Sequence, residues 1–247
     1  MAGYVCTVAG GNGGVGKTIT AVNLAATLES EGYDTVVVDA DLGMPNVTEM
    51  LGVTHEGSLH DILAGRATVS ETLTQGPGGT TLIPGEPALE AYADADPQKL
   101  RTVIKTLRRA YDVVIVDTAA GLRRENTVPL ELADGVLLLT TPDNVSLTDT
   151  DKTGQLATRV DSEIIGAVIV RVTAETELAE IDDSFDFPVV AGIPNNLDVV
   201  GDEPLVLESP ESEVAEAYQA LAKQLERVFF GDAAGSDLTP VPTSMFE

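Results

Sequence analysis

Gly11, Gly16, Lys17 and Thr18 stand in the order Gly, four residues, Gly-Lys-Thr within the stretch AGGNGGVGKTIT, residues 9–20. That spacing suits a polyphosphate. Glycines let the backbone approach a ligand without a Cβ in the way, and successive N–H groups then converge on an anion at the start of a helix. In such a loop, residues 11–18 (Gly11, Asn12, Gly13, Gly14, Val15, Gly16, Lys17, Thr18) hold the phosphates. Lys17 reaches the β- and γ-phosphates and Thr18 ligates magnesium. The alternative, a glycine-rich turn with no ligand, leaves the Gly-Lys-Thr run between a strand and a helix unexplained. Two acidic points follow the loop. Asp39-Ala40-Asp41 closes one apolar run and Asp117 closes another, and an acid ending a strand beside such a loop binds magnesium, usually through water. The competing role for all three acids is to cap the next helix. His55 and His60 lie in a polar stretch without carboxylates or cysteines at ligand spacing, so both read as surface residues.

The elements that must position these groups alternate regularly. Tyr4–Val8 is a short β-branched strand, and the helix from Lys17 to about Glu31 stops at Gly32. Thr35–Asp39 reads as a buried parallel strand. Leu42–Gly52 is a mobile-looking segment ending in a short helix, and another short helix begins at Ser58. Thr80–Ile83 is a strand, and Pro97–Ala110 an amphipathic helix with Leu100, Val103, Ile104 and Leu107 inward. Further strands follow at Asp112–Thr118, Gly135–Thr140, Ile164–Val170 and Pro188–Ile193. The helix Val145–Arg159 points Leu147 and Leu156 inward, and Glu211–Phe230 carries Val214, Tyr218, Leu221 and Leu225 on one face. This alternation implies a single α/β domain over residues 1–231: a mostly parallel twisted sheet with helices on both faces and right-handed crossovers. Residues 232–247, polar and proline-containing, read as an acidic disordered tail.

Composition narrows the setting. The 247 residues carry 14 basic and 40 acidic side chains, a formal charge of −26, yet 43% are apolar, too many for a disordered acidic chain. Such a surface suits a cytoplasm with molar salt, where screening reaches only about 3 Å. The composition therefore fits a halophile's protein, with an ordinary acidic cytosolic protein as the alternative. No cluster of Lys and Arg offers the phosphate contacts that loose nucleic-acid or anionic-lipid binding draws on. Cys6 stands alone, which excludes a disulfide framework or a cysteine-rich metal site. The start, MAGYVCTVAG, lacks a basic n-region, and no apolar run nears the roughly 18 residues that span a bilayer. A cytoplasmic location is expected.

Taken together, GGNGGVGKT, DADLGMPNVTEMLG and YDVVIVDTAAG, in that order, resemble the MinD/ParA family of phosphate-loop ATPases on its MinD side, over residues 1 to about 230. The resemblance implies ATP and Mg2+ as cofactors and an ATP-dependent homodimer that sandwiches the nucleotides and docks a further protein partner, so as to place cellular machinery. It implies that Asp39 and Asp117 support the metal's waters, that Asp41 orients the attacking water within a first switch, and that Asp117–Gly121 is a second switch. Lys17 and Asp41 are thus the implied catalytic pair, and Pro194 and Asn195 fall where the family contacts adenine.

Two departures bear on function. The family's loop carries a signature lysine at the position of Asn12, where it crosses to the partner's phosphates, and Asn cannot supply that charge. A trans-acting cation of this kind is worth about 10³ to 10⁵ in rate. Arg123 or Arg124 is placed to substitute, unless both are solvated arginines at a helix start. MinD proteins also end in a basic amphipathic helix, whereas this chain ends in an acidic tail closing on Met245 and Phe246, which argues against direct membrane cycling. The reading that follows is an ATP-hydrolysing switch concentrated through a partner at a pole or midcell, with a non-hydrolysing nucleotide-binding scaffold as the alternative.

Overall fold

The computed structural model describes residues 2–121, 124–195 and 203–231, without the side chains of 124–126. Among the described residues, eight strands form one sheet: β1 (Tyr4–Ala9), β2 (Thr35–Ala40), β3 (Thr74–Gln75), β4 (Thr81–Ile83), β5 (Val113–Thr118), β6 (Gly135–Thr140), β7 (Ile164–Val172) and β8 (Val189–Pro194). Their order is β3-β4-β2-β5-β1-β6-β7-β8. All pairings are parallel except that of the two-residue edge strand β3 with β4. The sequence reading had found every parallel strand and missed β3.

The α-helices are α1 (Lys17–Ser30), α2 (Val47–Met50), α3 (Leu59–Ala64), α4 (Val69–Thr72), α5 (Leu89–Asp94), α6 (Leu100–Leu107), α7 (Arg124–Leu132), α8 (Asn144–Arg159), α9 (Leu178–Asp182), α10 (Leu205–Glu208) and α11 (Glu213–Phe230). Successive side chains along a strand point to opposite faces, and the core divides accordingly. Val37, Val113 and Ile115 pack with Leu24 and Leu28 of α1 and with Leu221 and Leu225 of α11. Val36, Val38, Val114 and Val116 meet Leu59 and Leu63 of α3 and the four apolar residues of α6 named above. Burial on both faces is why these strands read as unbroken apolar runs.

On α8 the expected inward pair is only half-buried. The inward face is made of Ser146, Thr150, Thr153, Gly154 and Ala157, with Leu147 and Leu156 packed at its flanks. Small residues bring this helix close to β6: Thr150 Oγ1 donates to the Leu139 carbonyl at 3.2 Å, and a Cβ on Gly154 would lie 2.6 Å from the Phe187 ring.

His60 is a further difference from the sequence reading, being fully buried. Its Nε2 lies 3.0 Å from the Leu42 carbonyl, and its Nδ1 accepts from the Glu86 amide at 3.0 Å. These bonds identify the tautomer, because a ring nitrogen accepting an N–H leaves its proton on the other nitrogen. His55, half-buried, sits beside the Gly57 carbonyl.

Candidate nucleotide and magnesium site

The C-terminal edge of the parallel strands gathers the predicted residues. β1 runs out into the loop Gly10–Gly16, and α1 begins at Lys17 with Gly16 as its N-cap in the left-handed region, φ 87°, a conformation that favours glycine. No side chain caps α1 and its first turn holds no acid. The first-turn N–H groups and the positive end of the helix dipole therefore face outward with no carboxylate of their own, as an anion site requires.

Gly11 has a different reason to be glycine. A Cβ there would lie 2.5 Å from both the carbonyl carbon and the Cβ of Asp149 on α8, so the loop is seated directly against that helix. Asn12 reinforces the contact. In the orientation that pairs both ends of its amide, the oxygen accepts from Ser146 Oγ at 3.0 Å and the nitrogen donates to Asp149 Oδ2 at 2.9 Å.

Lys17 is only 7% exposed and donates to the Asn12 carbonyl at 3.3 Å. Burial pushes its pKa down, while the Asp117 and Asp41 charges push it up. Thr18 Oγ1 lies 2.6 Å from Asp117 Oδ2 and 3.0 Å from Asn46 Oδ1, which joins the start of α1 to the end of β5 and to the segment after β2.

Asp39 and Asp117 are register partners on β2 and β5, both fully buried. Burial raises each pKa. The Asp117 charge raises that of Asp39 further, whereas the Thr18 hydrogen bond and the Lys17 charge hold Asp117 back. Asp39 Oδ2 accepts from the Asn46 and Val47 amides at 3.0 and 3.1 Å, so it does cap α2. Yet Asp39 Oδ1 and Asp117 Oδ1 are both buried without a partner. Orphaned carboxylate oxygens on neighbouring strands are costly unless something positive or protic meets them. Among the described residues no group of three or more His, Cys, Asp or Glu could hold a metal. Two carboxylates and a threonine hydroxyl beside a phosphate loop fit magnesium, which keeps several waters and takes its remaining ligands from phosphate.

Asp41 is half-buried at the end of this edge, and its Oδ1 accepts from the Met44 amide at 3.0 Å. The end of β5 and the turn after it rest on β1 and the start of the loop: Thr118 Oγ1 donates to the Val8 carbonyl at 2.9 Å, and the Gly121 amide to that of Gly10 at 3.4 Å. Pro194 ends β8 and the Asn195 amide donates to the Val172 carbonyl at 2.8 Å, which places both on the same edge. Arg123 and the side chain of Arg124 lie outside the described residues, as does the tail 232–247.

Sequence reading missed Arg171. It sits on β7, exposed, and its Nη2 donates to the Gly14 carbonyl at 2.6 Å. Nothing local marks it, since it stands inside an apolar run that ends a strand.

An open parallel sheet with this loop, this lysine and two strand-end acids defines a phosphate-loop nucleotide-binding protein. The sequence model of the family described as "AAA domain" matches residues 3–162. The chain is 34% identical over 228 residues to an uncharacterized ATP-binding protein of Methanocaldococcus jannaschii, covering 88% of this chain and 86% of the relative. It is 27% identical to the septum site-determining protein MinD of a Synechocystis species, covering 90% and 89% of the two chains. The structure of MinD from Pyrococcus horikoshii, complexed with Mg-ADP, superposes with a TM-score of 0.87 at 31% identity, covering 91% of this chain and 96% of that one. The chain belongs to the MinD/ParA-like phosphate-loop ATPases.

Proposed function

We propose that the protein is an ATP-binding, ATP-hydrolysing molecular switch, which closes as a dimer around nucleotide and magnesium and recruits a protein partner to position cellular machinery. Division, motility, chemotaxis and chromosome partition are the candidate settings. The observation that carries this reading is the Thr18–Asp117 contact at the uncapped start of α1. It brings the loop, the second switch and, through Asn46, the first switch to one point.

Each residue has a part. Residues 11–18 hold the phosphates, Thr18, Asp39 and Asp117 hold magnesium with its waters, and Pro194 and Asn195 border the base. Bound magnesium neutralises charge on the phosphate oxygens. Asp41 orients the attacking water from the strand end, and the segment Leu42–Asn46 is tied to Asp41 through the Met44 amide and to Asp39 and Thr18 through Asn46. The relative names point the same way, since a MinD relative is called septum site-determining. No helix among the described residues is long and apolar enough to cross a membrane, and recruitment is proposed to run through a protein.

A specific observation also favours the scaffold alternative. Asn12, where the family's crossing lysine stands, has its amide committed to Ser146 and Asp149 of its own chain. The two readings are separated by measuring ATP turnover and nucleotide-dependent dimerisation at high potassium chloride, with Lys17→Ala and Asp41→Ala as controls. Turnover that disappears in both variants, with dimerisation on ATP, supports the switch. Binding without turnover in the parent supports the scaffold, and absence of binding removes both.

A further inference from the structure

β7 shifts register against its neighbours at three places, and one of them skips a single residue near its C-terminal end. Its register with β8 shifts between Val170 and Val172, and the residue between them, Arg171, takes φ 60°. A left-handed backbone at a non-glycine residue inside a strand is an outlier. Bulges of this kind re-aim a side chain, and they recur beside active sites. Here the re-aimed side chain crosses to the phosphate loop and donates to the Gly14 carbonyl at 2.6 Å.

The loop thus has two cations at rest on it, two residues apart: Lys17 on the Asn12 carbonyl and Arg171 on that of Gly14. Among the described residues Arg171 has no carboxylate partner. The site it faces is otherwise acidic, with Asp39, Asp41, Asp117 and Asp149 around the loop, in a chain with 40 acids against 14 bases. A polyphosphate entering that field needs compensating charge close by, and Asn12, neutral and bonded to α8, does not provide it.

We propose that Arg171 is a nucleotide phosphate-binding residue that acts within its own chain. When nucleotide enters, the guanidinium exchanges the Gly14 carbonyl for phosphate oxygens, and it supplies the loop's second positive charge in place of the one Asn12 lacks. An uncharged carbonyl gives way to a charged oxygen, the stronger kind of partner for a guanidinium. The bulge keeps the side chain over the loop throughout. This inference rests on the nucleotide-binding reading of the site and adds a residue to it.

The test is equilibrium binding of ATP and ADP to the full chain, parent, Arg171→Ala and Arg171→Lys, at several potassium chloride concentrations. Arg171 is exposed, so truncating it leaves the core intact. The assignment predicts that Arg171→Ala weakens both nucleotides about tenfold, the usual size of one lost charge-assisted hydrogen bond. It also predicts a shallower dependence of affinity on salt, and that Arg171→Lys recovers most of the loss because the charge is restored. Affinities within about twofold of the parent overturn it. So does an Arg171→Lys variant as weak as Arg171→Ala with the parent's salt dependence, since that pattern belongs to a planar group stacked on the base. A parent that binds neither nucleotide overturns the site reading and this assignment with it, whereas a binding parent with an indifferent Arg171→Ala overturns the assignment alone.

Discussion

Gly11 and Gly13 are equivalent glycines to anyone reading the loop as a motif, and the structure separates them. A methyl group added at Gly13 meets nothing within 4 Å, whereas at Gly11 it would lie 2.5 Å from two atoms of Asp149, one of them backbone, and 2.6 Å from that residue's carbonyl oxygen. Ordinary carbon contact is about 3.5–4.0 Å, so Gly11→Ala requires the loop and α8 to part by about 1 Å. No flexible side-chain end can absorb the overlap, because α8 is itself held to β6 through Thr150. Overpacking of this kind costs about 1–3 kcal/mol, and at this chain length each kcal/mol lowers Tm by about 2–4 °C. The displaced element carries the N–H cradle, and a misplacement of about 1 Å in a positioned site is worth roughly a hundredfold in function. The assay is a nucleotide-free thermal melt followed by ATP titration. Gly11→Ala should melt several degrees below the parent and bind ATP much more weakly, while Gly13→Ala should melt with the parent. Equal melting of the two variants, or parental affinity in Gly11→Ala, refutes the proposed seating of the loop on α8.

Two further perturbations probe how the site is held. His60 is buried in the neutral form, with its pKa lowered mainly by desolvation, so its contribution to stability is complete above the unfolded value of about 6.5 and is lost as pH falls below it. The stability gap between the parent and His60→Phe should therefore narrow on acidification from pH 7 to pH 5, and a gap that is constant across that range contradicts the assignment. Asn23, fully buried on α1, donates to Glu203 Oε2 at 2.7 Å and accepts from the Val206 amide at 3.0 Å. Asn23→Ala leaves the Val206 amide unpaired and Glu203 Oε2 with only the Leu205 amide at 3.1 Å, and should cost about 1–3 kcal/mol in urea unfolding, with a loss under about 0.5 kcal/mol counting against the network.

The amino-acid sequence by itself determined the parts of this protein whose cause is local. Gly-Lys-Thr after a β-branched strand, the acids closing β2 and β5, and the apolar runs of the buried strands are each set by neighbours in the chain, so spacing and residue type revealed them. Asp117 was legible because a strand buried on both faces reads as an unbroken run, and the acid that ends it stands out.

Tertiary structure alone decided what depends on partners far along the chain. Arg171 reaches Gly14 across 157 positions, through a bulge that no residue pattern announces. His60 looked like a surface residue because its neighbours are polar, yet the Leu42 carbonyl and the Glu86 amide satisfy its ring in the interior. The small-residue face of α8 likewise gave no helical apolar stripe, and only its contact with the loop shows why Gly11 has no room for a side chain. Each of these turns on which atoms the sheet order brings within about 3 Å. Periodicity reports which face of an element is buried, not what it is buried against.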